Sequence, residues 1–159
     1  MTTQTIERTT LSNLVSNEEY CRKVLPFIKA DYFDVKEERV VFEEITNFVE
    51  KYKRIPTKIS LEIEVESRKD LTQDQHTKIV EIIQTLDATD VDMEWLVDTT
   101  EKFCKDKAIY NAIVDGISII DGKDKKRSAD AIPSILTDAL AVCFDNAVGH
   151  DYFDDAEER

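Results

Sequence analysis

The densest set of side chains that could bind a metal lies near the end of the chain. His150, Asp151, Asp154 and Asp155 stand close together there, and Asp151 and Asp155 would share a face of a helix. Carboxylate oxygens are ligands that hard cations such as Mg²⁺ accept. A small metal-dependent enzyme is therefore one interpretation of this sequence.

A structural interpretation of the same cluster is simpler. Aspartates often occupy the first turn of a helix, because the positive end of the helix dipole favours negative charge there. No second histidine lies nearby, and His76 sits among polar residues of a capped helix where it is expected to face solvent. We therefore expect no metal site in this chain.

Glycine positions exclude the common nucleotide-binding loops. Glycine occurs only at positions 116, 122 and 149, so neither a G-x-x-x-x-G-K-[ST] loop nor a dinucleotide fingerprint can form. No nucleophile turn of a Ser-His-Asp enzyme is visible either. The sequence predicts no catalytic residue and no cofactor bound by this chain itself.

Charge and composition restrict the partners. The net charge of −13 opposes contact with DNA or RNA phosphates, no apolar run has the length of a membrane span, and no signal peptide is visible. Cys21, Cys104 and Cys143 are odd in number and widely separated, which favours buried reduced thiols. We expect a cytoplasmic protein that does not associate with membranes.

The pattern of apolar residues predicts an all-α fold. Three glycines and three prolines are few for a β-rich protein of 159 residues. Capping boxes at residues 16–19 and 72–75 predict two helix starts. A helix over about residues 36–53 should bury the face that carries Val41, Ile45, Phe48 and Tyr52.

One segment carries conflicting signals. Residues 59–66 alternate strictly between apolar and polar side chains, which by periodicity alone predicts a β-strand. A single strand without a partner would expose an unpaired edge. The residues of this segment alone therefore do not decide between strand and helix.

The second half of the chain predicts a helical hairpin. A helix over about residues 92–120 carries one apolar stripe that includes Ile113, Ile117 and Ile120, and a second beside it with Ile109 and Ile119. A return helix from about residue 132 can cover only one stripe well. The apolar surface that remains uncovered predicts self-association through these side chains: Ile109, Ile113, Ile117, Ile120, Ile135, Leu136 and Leu140.

The order of these segments resembles the N-terminal domain of DnaB-like hexameric replicative helicases of the T-even-phage type. The resemblance covers nearly the whole chain, including residues 11–17, 30–33, 41–45 and 55–57, and is most specific over residues 132–140 and 148–155. It implies a globular helical head over residues 1–90 and a helical hairpin over residues 91–145. It also implies that residues 59–66 are helical.

The resemblance gives the end of the chain a further interpretation. Residues 146–159, with Val148, Gly149, His150 and Asp151, would begin a linker to a motor domain that this chain lacks. ATP or GTP, Mg²⁺, the catalytic residues and the DNA-binding loops would belong to that motor. Single-stranded DNA would then be contacted only through the full-length ring.

The resemblance also implies the role and the partners. The chain would be a collar that assembles dimers into a hexamer and engages a primase and a helicase loader in phage DNA replication. The basic hairpin tip is a candidate partner contact, formed by Lys123, Lys125, Lys126 and Arg127. A stand-alone interaction module, such as the helicase-binding domain of a primase, is the alternative.

The first prediction concerns nucleotide hydrolysis. The purified chain should not hydrolyse ATP or GTP, because it contains no phosphate-binding loop. Release of inorganic phosphate, measured against a buffer blank, should stay at background. Turnover that persists after repurification would contradict this prediction.

Overall fold

Helices account for the regular structure throughout the part of the chain that the structure describes. This computed structural model describes residues 3–124 and 127–142, in which no strand occurs. The described residues form seven α-helices: α1 (Thr3–Leu14), α2 (Glu18–Val24), α3 (Lys36–Tyr52), α4 (Lys58–Glu66), α5 (Gln73–Gln84), α6 (Met93–Ile120) and α7 (Ile132–Leu140). Short 3₁₀ turns cover Leu25–Phe27, Ala30–Tyr32 and Ala129–Ala131. The predicted all-α class is confirmed for these residues.

Side chains at the helix starts explain where several helices begin. Thr72 accepts a hydrogen bond from the backbone of Gln75, whose side chain accepts one from the Thr72 backbone, so this predicted capping box is confirmed. The capping box predicted at residues 16–19 is wrong, because the cap lies one residue later and is not reciprocal. Asn17 is the cap of α2 and accepts from the Tyr20 backbone, while the Ser16 hydroxyl donates to the Ser12 carbonyl.

The ambiguous segment is a helix. Thr57 and Ser60 form a reciprocal capping box that starts α4, and this local signal had not been recognised in the sequence. Leu61 and Val65 are buried in the core. The helix implied by the family resemblance is therefore confirmed, and the strand suggested by the alternation is wrong.

The first helix, α1, was not predicted. Its core-facing side mixes apolar Leu11 and Leu14 with polar side chains, which conceals the usual amphipathic pattern. The buried polar residues are Glu7, Thr10, Ser12 and Asn13. The Asn13 amide donates to the Thr9 carbonyl within α1 at 2.9 Å. It also makes a tertiary contact, donating to the Thr89 hydroxyl at 2.9 Å.

The core covers only part of the face predicted for α3. Val41 and Ile45 are buried as expected, and Val49 is buried with them. Phe48 is only half-buried and Tyr52 is 44% exposed, with their ring centroids 4.7 Å apart. Tyr52 shares the face of Val41 but is the last residue of α3, and periodicity does not show how far along a helix the core extends.

The head formed by α1–α5 encloses the first half of α6. Phe103 of α6 packs edge-on against Phe33, with ring centroids 5.9 Å apart. Deeper in the core, the Thr100 hydroxyl donates to the Leu96 carbonyl at 2.8 Å, so the Tyr20 hydroxyl donates to Thr100 at 2.6 Å. These contacts fix the direction in which α6 leaves the head.

Two carboxyl groups lie close together in the interior of the head. Glu7 of α1 and Glu38 of α3 are 1% and 0% exposed, and Arg8 binds Glu38 at 3.0 Å. Burial, followed by the hydrogen bond to Glu38 and the charge of Glu38, raises the pKa of Glu7 from 4.5 to about 8. Glu7 is therefore protonated in the folded protein at neutral pH.

The second prediction follows from this buried carboxyl. Between pH 4.5 and about 8 the folded protein keeps a proton on Glu7 that the unfolded chain releases. The contribution of Glu7 to the free energy of unfolding therefore falls as the pH rises through this range, by up to about 1.4 kcal/mol per pH unit. Because glutamine stays neutral, Glu7→Gln should gain stability relative to the wild type as the pH rises.

Urea unfolding at several pH values across this range measures the effect. Glu50→Gln, at an exposed position of α3, is the matched control and should follow the wild type. A constant free-energy difference between Glu7→Gln and the wild type across the range would contradict the prediction.

Candidate interaction surface on the helical hairpin

The long helix α6 changes its surroundings along its length. Its first half buries Leu96, Thr100, Phe103 and Cys104 in the head. Its second half buries a different face against α7, made mainly of small residues: Ala108, Ala112, Gly116 and Ile119. Small side chains let the two helices approach closely, and a Cβ atom at Gly116 would lie 3.8 Å from Ile132 Cγ2.

The other side of the hairpin is apolar but exposed. We call this surface the hairpin stripe. It consists of Tyr110, Ile113, Val114, Ile117 and Ile120 of α6 and Leu140 of α7, which are exposed by 42–72%. Scattered exposed apolar residues are common, but a contiguous patch marks an interaction surface more often than chance.

The seven residues predicted for self-association divide into two groups. Ile113, Ile117, Ile120 and Leu140 belong to the hairpin stripe. Ile109, Ile135 and Leu136 are half-buried against the core of the same chain. Two stripe residues, Tyr110 and Val114, were not among the seven, although their spacing of four residues places them on the same helix face.

Polar residues distinguish the two edges of the hairpin. Asp115 and Asp138 line one edge, together with Asp31 and Lys29 of the head, around a shallow groove of about 210 Å³. Successive residues of a helix are about 100° apart, so Ile113 lies on the edge of α6 away from Asp115. Leu140 likewise lies on the edge of α7 away from Asp138. The apolar surface therefore continues from α6 onto α7 along one edge only.

The basic tip is partly neutralised within the chain. Lys123 is exposed, but Arg127 binds Asp124 at 2.6 Å and approaches Asp115 at 3.9 Å. Lys125 and Lys126 lie outside the described residues, as does the predicted linker with Val148, Gly149, His150 and Asp151. The tip's role as a partner contact stays a prediction.

The described residues contain no cluster suited to a metal ion. Within residues 3–124 and 127–142 no group of three histidine, cysteine, aspartate or glutamate side chains could hold a metal ion. The cluster at His150, Asp151, Asp154 and Asp155 falls outside these ranges. No helix of the described part has both the length and the apolar character that crossing a bilayer requires.

The cysteines that the structure describes are core residues. Cys21 and Cys104 are both fully buried. Burial raises the pKa of the Cys104 thiol to about 12, so the group is protonated at neutral pH and unreactive. Cys143 lies outside the described residues.

Comparison with known proteins adds an independent observation. The chain is 32% identical over 157 residues to a DnaB-like replicative helicase from Enterobacteria phage T4. This chain is related to a DnaB-like replicative helicase. The alignment covers 94% of the chain but only 33% of that helicase, so the chain spans about a third of its relative's length. No protein-family model matches the chain.

The third prediction uses the two described glycines of the hairpin. Gly116→Ala should stabilise the protein by about 0.5–1 kcal/mol, because alanine favours a helix interior and its Cβ makes only ordinary contact with Ile132. Gly122→Ala is the contrasting variant, since Gly122 has φ of +79° and alanine there should cost about 1–2 kcal/mol. Chemical denaturation checks both values, and a destabilised Gly116→Ala would show tighter packing than the structure indicates.

Proposed function

We propose that this chain is the N-terminal collar domain of an ATP-dependent replicative DNA helicase. Its role would be to assemble the ring, as a trimer of dimers, rather than to hydrolyse nucleotide. In this proposal residues 1–90 are the head, residues 91–145 the hairpin and residues 146–159 the beginning of the linker. The observation that carries the proposal is the hairpin stripe on a chain related to a helicase.

The surface chemistry supports a protein partner rather than DNA. A net charge of −13 opposes binding to phosphates, so DNA contacts would be made elsewhere in the full ring. Primase and helicase loader would be protein partners of the collar during phage replication in the host cytoplasm. The relative is a helicase, which favours the collar over the alternative of a primase-derived module.

The energetics support a weak contact between isolated chains. Burying one half-exposed stripe residue contributes about 1 kcal/mol, so two stripes facing each other contribute roughly 12 kcal/mol. Association costs about 4–15 kcal/mol in lost translational and rotational freedom. The isolated chain should therefore dimerise at micromolar or higher concentrations. An isologous packing of hairpin on hairpin buries the same surface on both copies.

The fourth prediction tests this contact. Ile117→Asp should abolish self-association but leave the monomer folded, because Ile117 is 53% exposed and lies outside the core. Sedimentation equilibrium over a wide concentration range measures the association, and circular dichroism checks the fold. Ile63→Asp is the matched control: it places the same charge at an isoleucine of the head that is 57% exposed, and it should dimerise like the wild type.

Two results would count against the collar assembly. One is a wild-type chain that stays monomeric at several hundred micromolar. The other is an Ile117→Asp variant that unfolds, which would place the stripe in the monomer core.

A further inference from the structure

An open groove runs along the outer side of the helix pair α4 and α5. The two helices are joined by residues 67–72 and pack against each other and against α3. The groove has a volume of about 600 Å³. This lies within the range of about 300–1,000 Å³ that is usual for binding clefts. We call it the head groove; it lies apart from the hairpin stripe and shares no residue with it.

Each helix of the pair has some residues along the groove and others in the core. On α4 the groove is lined at positions 59, 62, 63 and 66, and on α5 at positions 73, 76, 77, 80 and 81. Steps of three and four residues place each set on one helix face. Leu61 and Val65 of α4 lie on the opposite face and are buried in the core, as are Ile79 and Ile83 of α5.

The strand-like alternation of residues 59–66 now has a physical explanation. In a helix, residues 61 and 65 point about 160° away from residues 59 and 63, so alternating apolar residues produce two opposite apolar faces. The core uses the face with Leu61 and Val65. Ile59 and Ile63 are left 70% and 57% exposed in the head groove, where Val80 joins them.

The border of the groove is acidic. Glu62 and Glu66 of α4 and Glu81 of α5 line it, whereas no lysine or arginine is among the described residues that do. Lys58, at the beginning of α4, binds Asp87 and the Gln84 carbonyl instead. The lining thus combines three apolar and three acidic side chains with three further polar ones. Exposed isoleucines beside carboxylates select a ligand that combines apolar and positively charged groups.

We propose that the head groove binds a basic amphipathic helix of a partner protein. Apolar side chains one turn apart on that helix would cover Ile59 and Ile63, and its lysines or arginines would face Glu62, Glu66 and Glu81. This is the helix-in-groove mode, in which apolar residues at i, i+3, i+4 and i+7 anchor the peptide. The nine residues of α4 span about 13 Å, which accommodates between two and three turns of helix.

Charge disfavours the two other candidate occupants. A second copy of this chain carries the same net charge of −13 and would bring further carboxylates to an acidic border. Nucleic acid is repelled for the same reason. The proposal does not depend on the collar function, because it uses a different surface and a different kind of partner.

The probe is a fluorescently labelled peptide designed as an amphipathic helix of about four turns. It carries leucines at i, i+3, i+4 and i+7 with lysines beside them. Two control peptides separate the contributions: one replaces every lysine by glutamate, and one scrambles the order so that the leucines no longer share a face. Fluorescence anisotropy with the whole chain measures affinity, and backbone NMR shifts locate the site.

The basic amphipathic peptide should bind with a micromolar dissociation constant, weaken with added salt and shift the amide signals of α4 and α5. Both control peptides should bind much more weakly. Glu62→Lys with Glu66→Lys should weaken binding about fivefold to tenfold. Ile59→Ser with Ile63→Ser should weaken it by roughly tenfold or more. None of these four side chains is buried, so the fold should persist by circular dichroism.

Matched variants test whether the effect is local. Glu50→Lys with Asp98→Lys reverses two exposed charges away from the groove, and Ile117→Asp disrupts the hairpin stripe. Both should bind the basic peptide with affinity within about twofold of the wild type, because long-range charge effects are screened. The proposal is overturned by absence of saturation at about 1 mM peptide. It is equally overturned by equal binding of the acidic peptide, by shifts outside α4 and α5, or by an equal loss in the Glu50/Asp98 variant.

Discussion

The burial of one end of α6 in the head determines the organisation of the described chain. Leu96, Thr100 and Phe103 anchor the first half of a helix of 28 residues, which is about 42 Å long. Because an α-helix is stiff on this scale, the second half must project beyond the head. The short return helix α7 covers only one side of the projection, and this leaves the hairpin stripe in solvent.

Polar contacts also hold α6 to the head. The Tyr20 hydroxyl donates to the Thr100 hydroxyl, which donates to the Leu96 carbonyl, so both buried hydroxyls have a hydrogen-bond partner. Further out, Lys107 binds Asp34 at 2.5 Å and the Asn111 amide donates to the Asp31 carbonyl at 3.2 Å. These contacts tie the projecting half to the head at a second point and orient the hairpin.

The two candidate surfaces differ in chemistry. The hairpin stripe is formed by aliphatic side chains and Tyr110, and an apolar surface can be covered by an identical copy of itself. The head groove combines Ile59 and Ile63 with three border glutamates, a combination that disfavours self-recognition. A chain with a net charge of −13 therefore can present one surface for its own copies and another for a partner of opposite charge.

Local signals in the sequence determined much of the helical architecture. The Thr72 cap, the limits of α3 and the long α6 with its return helix α7 follow from capping residues and apolar spacing, which depend on neighbouring residues alone. The surplus apolar stripe around Ile113 and Ile117 was also visible in the sequence. It was visible because a helix with two apolar faces needs two partners, and the return helix α7 can cover one of them.

Other features were decided only by tertiary structure. α1 carries polar side chains such as Glu7 and Asn13 on its buried face, and these become tolerable only through contacts with residues as distant as Glu38 and Thr89. In α3 the choice of Val49 over Tyr52 for the core depends on where α4 and α5 pack. For residues 59–66, periodicity predicts a strand, and local capping by Thr57 together with burial on one side makes a helix. Which of its two apolar faces became core and which became surface depends on the position of α3 and α5, and that is a property of the folded chain rather than of the sequence pattern.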